Sequence, residues 1–114
     1  MISLAILEVT AADWEKEVLK ASLSVLVDFH SPYCPPCFIM EKILVNIAES
    51  YSDRLKFVRV DIDKEEEIAE RYDILSVPTI AFFISGELIQ GFTGVIHEKS
   101  LVKNIDTILQ VKHT

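Results

Sequence analysis

Short, nearly continuous apolar runs alternate along the chain with stretches in which apolar residues recur every three or four positions. The continuous runs predict β-strands, and the three-to-four spacing predicts helices that pack on one face. The predicted strands cover about 5–9, 25–29, 55–62, 80–84 and 88–92, and the predicted helices cover 10–21, 35–51, a segment from 63, and 98–111. The order β-α-β-α-β-α-β-β-α predicts an α/β fold whose mixed sheet is flanked by helices, because crossover helices imply parallel pairing and a tight hairpin implies antiparallel pairing.

Two of the predicted helix starts resemble capping boxes. Thr10 with Asp13 opens the first helix, and Asp63 with Glu66 opens the third. Asp61 and Asp63 also have the spacing of a calcium loop, but the position that requires glycine holds Glu66. We therefore expect helix starts here and no calcium site.

Composition and charge fit one globular domain over residues 1–114. Hydrophobic residues make up 50% of the chain, which suffices for one ordinary core. The apolar stretches, such as 80–84, are far shorter than the ~20 residues that span a bilayer. Eleven basic residues against 18 acidic ones give a net charge of −7, which argues against nucleic acid and anionic membranes as partners.

The chain start lacks the basic segment of a secretory signal, so we expect a cytoplasmic protein whose thiols are kept reduced. Its only two cysteines are Cys34 and Cys37. A disulfide across so small a loop would add little stability, which favours a chemical role for the pair.

Prolines surround these cysteines at the start of the second predicted helix. Pro35 and Pro36 fit the first two helical positions, which places Cys34 at the N-cap and Cys37 in the first turn. A helix N-terminus stabilises an anion, so the Cys34 thiolate is favoured, and Cys37 lies ready to resolve a mixed disulfide. The alternatives are a zinc site with His30 as third ligand, for which a second pair of ligands is missing, and two cysteines that merely pack.

The segment 25–37, VLVDFHSPYCPPC, resembles the active-site region of the thioredoxin family. Further matches lie at 60–63, 72–74, 77–79, Gly86 and Gly94, so the resemblance covers about 6–109. It implies the thioredoxin fold and thiol–disulfide exchange with disulfide-containing protein substrates. It also implies that no cofactor is bound and that electrons come from an external reductase of the thioredoxin-reductase type. We further expect a monomer, a state that the sequence itself does not determine.

Carried over by position, the resemblance makes Cys34 the attacking nucleophile and Cys37 the resolving thiol. Asp28 matches the buried carboxylate of the family, on the strand face under the active-site helix, where it accepts the Cys37 proton directly or through water. The alternative is a solvated aspartate at the end of the strand. Pro78 matches the family's cis-proline, which would turn the backbone of Val77 toward a substrate strand.

The resemblance also implies a small apolar docking surface around Cys34. Taken one at a time, these residues are equally compatible with ordinary surface or turn positions, so the prediction rests on their positions together. The predicted docking residues are Tyr33, Pro36, Val77, Pro78, Thr93, Gly94 and Val95.

Two departures from the family pattern concern the cysteine loop. Pro35 replaces the usual glycine and removes an N–H, so we expect weaker stabilisation of the thiolate and a more reducing couple than in an oxidant of this fold. Tyr33 replaces the usual tryptophan before the first cysteine.

Three further departures lie beside the loop. His30 replaces an aromatic residue and either tunes the site through its charge or is exposed without a role. Arg59 stands where lysine is common, near Asp28. Burial would raise the pKa of Asp28, and a permanent cation beside it would lower that pKa. The sequence does not decide which of the two influences is larger. Lys42 replaces a helix-kinking proline, so we expect a straighter helix.

Three functions compete. A cytosolic protein-disulfide reductase fits every feature, and Asp28, Cys34, Cys37 and Pro78 together argue against a binding module with incidental cysteines. A net oxidant or isomerase of protein disulfides is disfavoured by the missing signal peptide and by the absence of histidine between the cysteines.

Overall fold

The computed structural model describes residues 6–112, with side chains through residue 110, and contains five strands and four α-helices in the expected order. Ala5, the first residue of the predicted first strand, lies outside the described residues. The strands are β1 (Ile6–Glu8), β2 (Ser24–His30), β3 (Leu55–Asp61), β4 (Thr79–Ile84) and β5 (Glu87–Thr93). The helices are α1 (Ala11–Trp14), α2 (Pro35–Ala48), α3 (Glu66–Arg71) and α4 (Glu98–Lys112), with a π-helical segment at Glu15–Leu19 and a 3₁₀ turn at Glu49–Tyr51.

The five strands form one mixed sheet in the order β1-β3-β2-β4-β5. β2 lies at its centre, parallel to β3 and antiparallel to β4, and all seven of its residues are buried. β1 pairs in parallel with β3, and β4 and β5 form the antiparallel hairpin. The mixed sheet predicted from the order of elements is therefore confirmed.

Each face of the sheet has its own core. α2 and α4 cover one face, where Leu26, Met40, Leu44 and Ile105 are fully buried. The π-helical segment and α3 contribute Val18 and Ile68 to the core on the other face. None of the helices in the described part of the chain is long and apolar enough to cross a bilayer.

The opposite core includes an aromatic cluster around Trp14, as expected for a residue on the inner face of the first helix. Its ring packs edge-on against Phe83 at 5.4 Å between centroids and also contacts Phe29 and Tyr72. The indole Nε1–H donates to the Tyr72 hydroxyl at 3.3 Å, which satisfies a buried donor.

The predicted capping of the first helix is wrong in its details. The Thr10 hydroxyl donates to the Asp13 carboxylate at 3.3 Å instead of accepting from the helix backbone. The segment also turns π-helical after Trp14 and ends at Leu19, before the predicted end at Ala21. Because the two capping side chains bind each other, a backbone N–H at the start of the helix finds a distant partner. The Glu65 carboxylate, 54 positions along the chain, accepts from Ala11 N–H at 2.8 Å.

The third helix begins at Glu66, later than the predicted start at Asp63. The Asp61 carboxylate accepts from the backbone N–H of Asp63 at 2.9 Å and of Lys64 at 3.3 Å, so this side chain orders the turn that precedes the helix. The Asp63 carboxylate accepts from the Ser31 hydroxyl at 2.7 Å. The acidic pair that resembled a calcium loop is thus engaged in the turn itself.

The β4–β5 turn requires glycine at one position. Ser85 and Gly86 have φ of 51° and 81°, and a Cβ on Gly86 would lie 2.9 Å from the backbone oxygen of Leu19. Gly94, at φ 84°, has the same left-handed backbone but would place its Cβ in open space. Only at Gly86 does a side chain meet fixed backbone.

Candidate active site

The two cysteines form a disulfide at the N-terminus of α2. Cys34 is the N-cap residue with extended backbone, and Pro35 and Pro36 occupy the first two helical positions as predicted. Because neither proline has an N–H, the first backbone amide that reaches back is that of Cys37, which donates to Cys34 Sγ at 3.2 Å and to the Cys34 carbonyl at 3.0 Å. The sulfur of Cys34 therefore accepts a hydrogen bond at the positive end of a helix.

The disulfide is asymmetric in its exposure. Cys34 is 7% exposed, whereas Cys37 is 1% exposed on the inner face of the helix. Thiol–disulfide exchange needs in-line access to a sulfur atom, so the exposure favours Cys34 over Cys37 as the site of attack.

The proline predicted to be cis is cis in the structure, at the bond between Val77 and Pro78. It precedes β4, whose first residue, Thr79, pairs with Phe29 near the end of β2. Pro78 therefore lies at the end of the sheet from which the cysteine loop leaves β2. The Pro78 carbonyl accepts from Gly94 N–H at 2.8 Å, which ties this loop to the end of β5.

The structure brings some of the predicted docking residues together directly. Pro78 and Gly94 are hydrogen-bonded to each other, and Thr93 pairs with Thr79 at the start of β4. Tyr33 is 90% exposed on the loop before Cys34. The remaining predicted docking residues are exposed at Pro36 and Val95 and half-buried at Val77.

Asp28 is fully buried on the face of β2 that α2 covers, as the alternation of the strand predicted. Neither carboxylate oxygen has a hydrogen-bond partner among the residues that the structure describes. Burial raises the pKa of Asp28 from 3.8 to about 6, although the positive charge of Arg59 lowers it. Burial thus prevails over the cation, which decides the question that the sequence left open, and the alternative of a solvated aspartate is wrong.

Arg59 is close to Asp28, as its position on β3 indicated. Its Nε lies 3.6 Å from Asp28 Oδ2. The same guanidinium also approaches Glu8, with Nη1 3.7 Å from Oε1, and Glu41, with Nη2 3.5 Å from Oε2.

His30 is buried, so the expectation of an exposed histidine without a role is wrong. Its Nε2 lies 3.0 Å from Glu8 Oε2. The His30 ring is therefore hydrogen-bonded to Glu8, the carboxylate that also approaches Arg59, and both cysteine sulfurs are bonded to each other. Among the described side chains, no group of three or more His, Cys, Asp or Glu residues is placed to hold a metal ion.

Sequence reasoning missed Glu8 and Glu41 as partners of Arg59. One signal was present in α2: Glu41 interrupts the apolar positions that follow Cys37 at helical spacing, Met40 and Leu44. Glu41 is half-buried beside these positions, and the cation that it approaches is Arg59. Glu8 gave a weaker signal, because a charged residue after a short apolar run is ordinary.

Comparison with known proteins agrees with this geometry. The family model for thioredoxin matches residues 5–107. Thioredoxin 1 of Synechococcus elongatus is 37% identical over 98 residues, which cover 86% of this chain and 92% of that protein. Thioredoxin of Griffithsia pacifica is 33% identical over 107 residues, covering 94% and 98%. Thioredoxin M-type, chloroplastic, of Brassica napus is 34% identical over 102 residues, covering 90% and 58%.

A pair of cysteines that forms a disulfide at a helix start, on this mixed sheet, is typical of a thiol–disulfide oxidoreductase. The chain belongs to the thioredoxin family. Members of this family act on disulfide-containing proteins and are reduced in turn by a reductase, and they need no bound cofactor.

Proposed function

We propose that the protein works in the direction of reduction, as a cytosolic protein-disulfide reductase. The observation that carries the proposal is the Cys34–Cys37 disulfide at the start of α2, with Cys34 as the N-cap. In the reduced protein the positive end of the helix and the Cys37 amide stabilise a Cys34 thiolate, which is the nucleophile in disulfide exchange.

The Cys34 thiolate attacks one sulfur of a substrate disulfide. A Cys34–substrate disulfide forms, and the other substrate sulfur leaves as a thiolate that takes a proton from solvent. The Cys37 thiol then gives its proton to the Asp28 carboxylate, and the Cys37 thiolate attacks Cys34 Sγ. The Cys34–Cys37 disulfide forms and the second substrate thiolate leaves, so the substrate gains two electrons and the protein dithiol is oxidised.

Asp28 is suited to the proton-accepting step by its burial. A carboxylate whose pKa is raised to about 6 binds a proton more tightly near neutral pH than an exposed one does. Its position under α2, on the side to which Cys37 is turned, supports the assignment. The role is that of a general base for Cys37.

A substrate would dock on the apolar surface around Cys34. The half-buried Val77, before the cis bond, offers backbone N–H and C=O groups for short pairing with an extended substrate segment. The hydrogen bond between Gly94 and Pro78 supports this arrangement, because it fixes the two loops relative to each other. The proposed docking residues are Tyr33, Pro36, Val77, Pro78, Thr93, Gly94 and Val95.

Each turnover leaves the Cys34–Cys37 pair oxidised, so two electrons must come from outside. We assign this step to an external, flavin-dependent reductase of the thioredoxin-reductase type. The protein is proposed to act as a monomer, as a single domain over residues 1–114, in the cytoplasm. The net charge of −7 supports a partner other than nucleic acid.

The equilibrium midpoint of the Cys34–Cys37 couple tests the direction of transfer. The protein is equilibrated in dithiothreitol and glutathione buffers, and free thiols are alkylated and counted by mass. A midpoint of about −270 mV supports a protein that reduces its substrates, and a midpoint of about −120 mV makes it an oxidant or isomerase. If no reversible disulfide forms, the binding-module alternative takes the place of this proposal.

A Cys37→Ser variant tests the order of the two cysteines. It should stop after the first exchange and accumulate a covalent adduct with a disulfide-bonded test protein, visible as a mass increase that dithiothreitol reverses. The matched Cys34→Ser variant should form much less adduct. Equal trapping by the two variants would contradict the assignment of Cys34 as the nucleophile.

A further inference from the structure

A row of charged residues crosses the sheet beneath α2. Arg59 on β3 is the register partner of Asp28 on β2 and of Glu8 on β1. Side chains in register on neighbouring strands project from the same face, so the arginine lies between two carboxylates. Ile80 on β4 continues the row on the far side of Asp28.

Glu41 reaches the same arginine from the helix above. It lies one turn after Cys37 on the face of α2 that turns the buried Met40 and Leu44 toward the sheet. The resolving cysteine and Glu41 therefore project toward the same part of the sheet. Glu41 Oε2 lies 3.5 Å from Arg59 Nη2.

Each of the three guanidinium nitrogens approaches a different carboxylate. Nε lies 3.6 Å from Asp28, Nη1 3.7 Å from Glu8 and Nη2 3.5 Å from Glu41. All three distances exceed those of good N–H···O hydrogen bonds, about 2.7–3.2 Å. An arginine with a single carboxylate partner normally binds it through two short parallel hydrogen bonds.

Sharing the guanidinium leaves Asp28 without those bonds. Both Asp28 oxygens and Arg59 Nε are buried and lack a hydrogen-bond partner within the described part of the chain. Hydrogen bonds to a carboxylate favour its charged form, and at 3.6 Å the contact with Arg59 lowers the pKa of Asp28 less than burial raises it.

We propose that Glu41 and Glu8 are positioning residues that hold Arg59 between them, out of hydrogen-bond contact with Asp28, so that Asp28 remains a strong enough base to take the Cys37 proton. The inference rests on the proposed function of Asp28. Neither glutamate touches a reacting atom, and both act through the arginine.

The other groups that face Asp28 are few. Arg59 faces it from β3, His30 from its own strand, and Glu41 and Cys37 from α2, while the neighbour on β4 is the apolar Ile80. His30 is itself held by Glu8 at 3.0 Å. Replacing Glu41 therefore acts on Asp28 most directly through the position of Arg59, whereas replacing Glu8 also releases His30.

The test follows the titration of the Asp28 carboxyl carbon by NMR in the oxidised protein, where the cysteines do not titrate. The Asp28→Asn variant assigns the resonance. In Glu41→Gln the freed guanidinium can close on Asp28, and the midpoint should fall by about one pH unit. Glu8→Gln should lower it in the same direction, and Glu49→Gln, which removes an exposed charge at the end of the same helix, should leave it unchanged.

An Arg59→Met background separates positioning from the direct charge of Glu41. If Glu41 acts through Arg59, Glu41→Gln should shift the Asp28 midpoint much less in this background than in the wild-type protein. An equal shift in both backgrounds, or no shift in the wild-type background, would overturn the inference. Because the midpoint is read from Asp28 itself, this result does not depend on catalysis.

The kinetic test uses a mixed disulfide between Cys34 and thionitrobenzoate, whose release by Cys37 is followed by absorbance. Release at pH 7 should be about threefold slower in Glu41→Gln, because a weaker base accepts the proton less effectively. If Asp28→Asn does not change the release rate or its pH profile, the proposed role of Asp28 fails and the catalytic part of this inference fails with it. If Asp28→Asn slows the release of thionitrobenzoate but Glu41→Gln does not, the role of Asp28 stands and only the inference about Glu41 is overturned.

Discussion

Replacing Asp28 by asparagine removes a buried charge while nearly preserving the shape of the side chain. Asp28 is fully buried, and its pKa is raised from 3.8 to about 6 mainly by that burial. The folded protein therefore binds this proton more tightly than the unfolded chain does. The contribution to stability is present in full below the unfolded pKa of 3.8 and is lost as the pH rises through about 6.

The size of the effect follows from the two pKa values. One unit corresponds to about 1.4 kcal/mol, so ionising Asp28 costs about 3 kcal/mol more in the folded protein than in the unfolded chain. Asparagine carries no such charge. Between pH 4 and pH 8, the free energy of unfolding of Asp28→Asn should rise by about 2 kcal/mol relative to that of the wild type.

Urea denaturation of both oxidised proteins across this pH range measures the difference, in which the titration of other groups largely cancels. Asp53→Asn, a change of the same chemistry at an exposed carboxylate beside Arg54, is the control and should differ from the wild type by a constant amount. A wild type that gains stability over Asp28→Asn as the pH rises would refute the reasoning. It would mean that the ion pair with Arg59 prevails over burial.

Three further predictions concern local geometry. Pro35→Gly restores an N–H at the helix start, so the pKa of Cys34, followed by thiolate absorbance in the reduced protein, should fall; a rise would contradict the role given to the proline. Gly94→Ala should lower the free energy of unfolding, measured by urea denaturation, by about 1 kcal/mol because Gly94 has a left-handed backbone. Gly86→Ala should lower it by more than about 2 kcal/mol, because the added Cβ also meets the backbone of Leu19. Equal losses would refute a contact at Gly86. Tyr72→Phe removes the acceptor of the buried indole N–H and should cost about 1 kcal/mol by the same method, and a neutral result would show that this bond contributes nothing.

Most of the fold could be predicted because its signals are local. The central strand is a nearly continuous apolar run, interrupted by Asp28, and it is buried at every position. The start of α2 was predictable for a similar reason, since prolines fit only the first turn and fix where the helix begins. Helix starts that depend on side-chain competition were less predictable: the Asp61 carboxylate orders the turn before α3, and no spacing rule distinguishes it from Asp63.

The charges around Asp28 show where sequence reasoning stops. Pairing of Arg59 with Asp28 follows from strand order, but the balance between burial and the cation depends on distances of a few ångströms. The approach of Glu8 depends on the register of a three-residue strand, and that of Glu41 depends on how α2 lies over the sheet. The environment of His30 depends in the same way on Glu8, whose Oε2 lies 3.0 Å from the His30 Nε2.

The single tryptophan of the chain lies in the aromatic cluster on the far side of the sheet from α2, and a tyrosine occupies the position before Cys34. Intrinsic fluorescence should therefore follow the loss of that cluster when the protein unfolds. The central sheet separates the indole from the disulfide, so the emission of Trp14 should change little when Cys34 and Cys37 are reduced. Turnover of this protein is accordingly better followed by assaying its thiols or its substrate than by its intrinsic fluorescence.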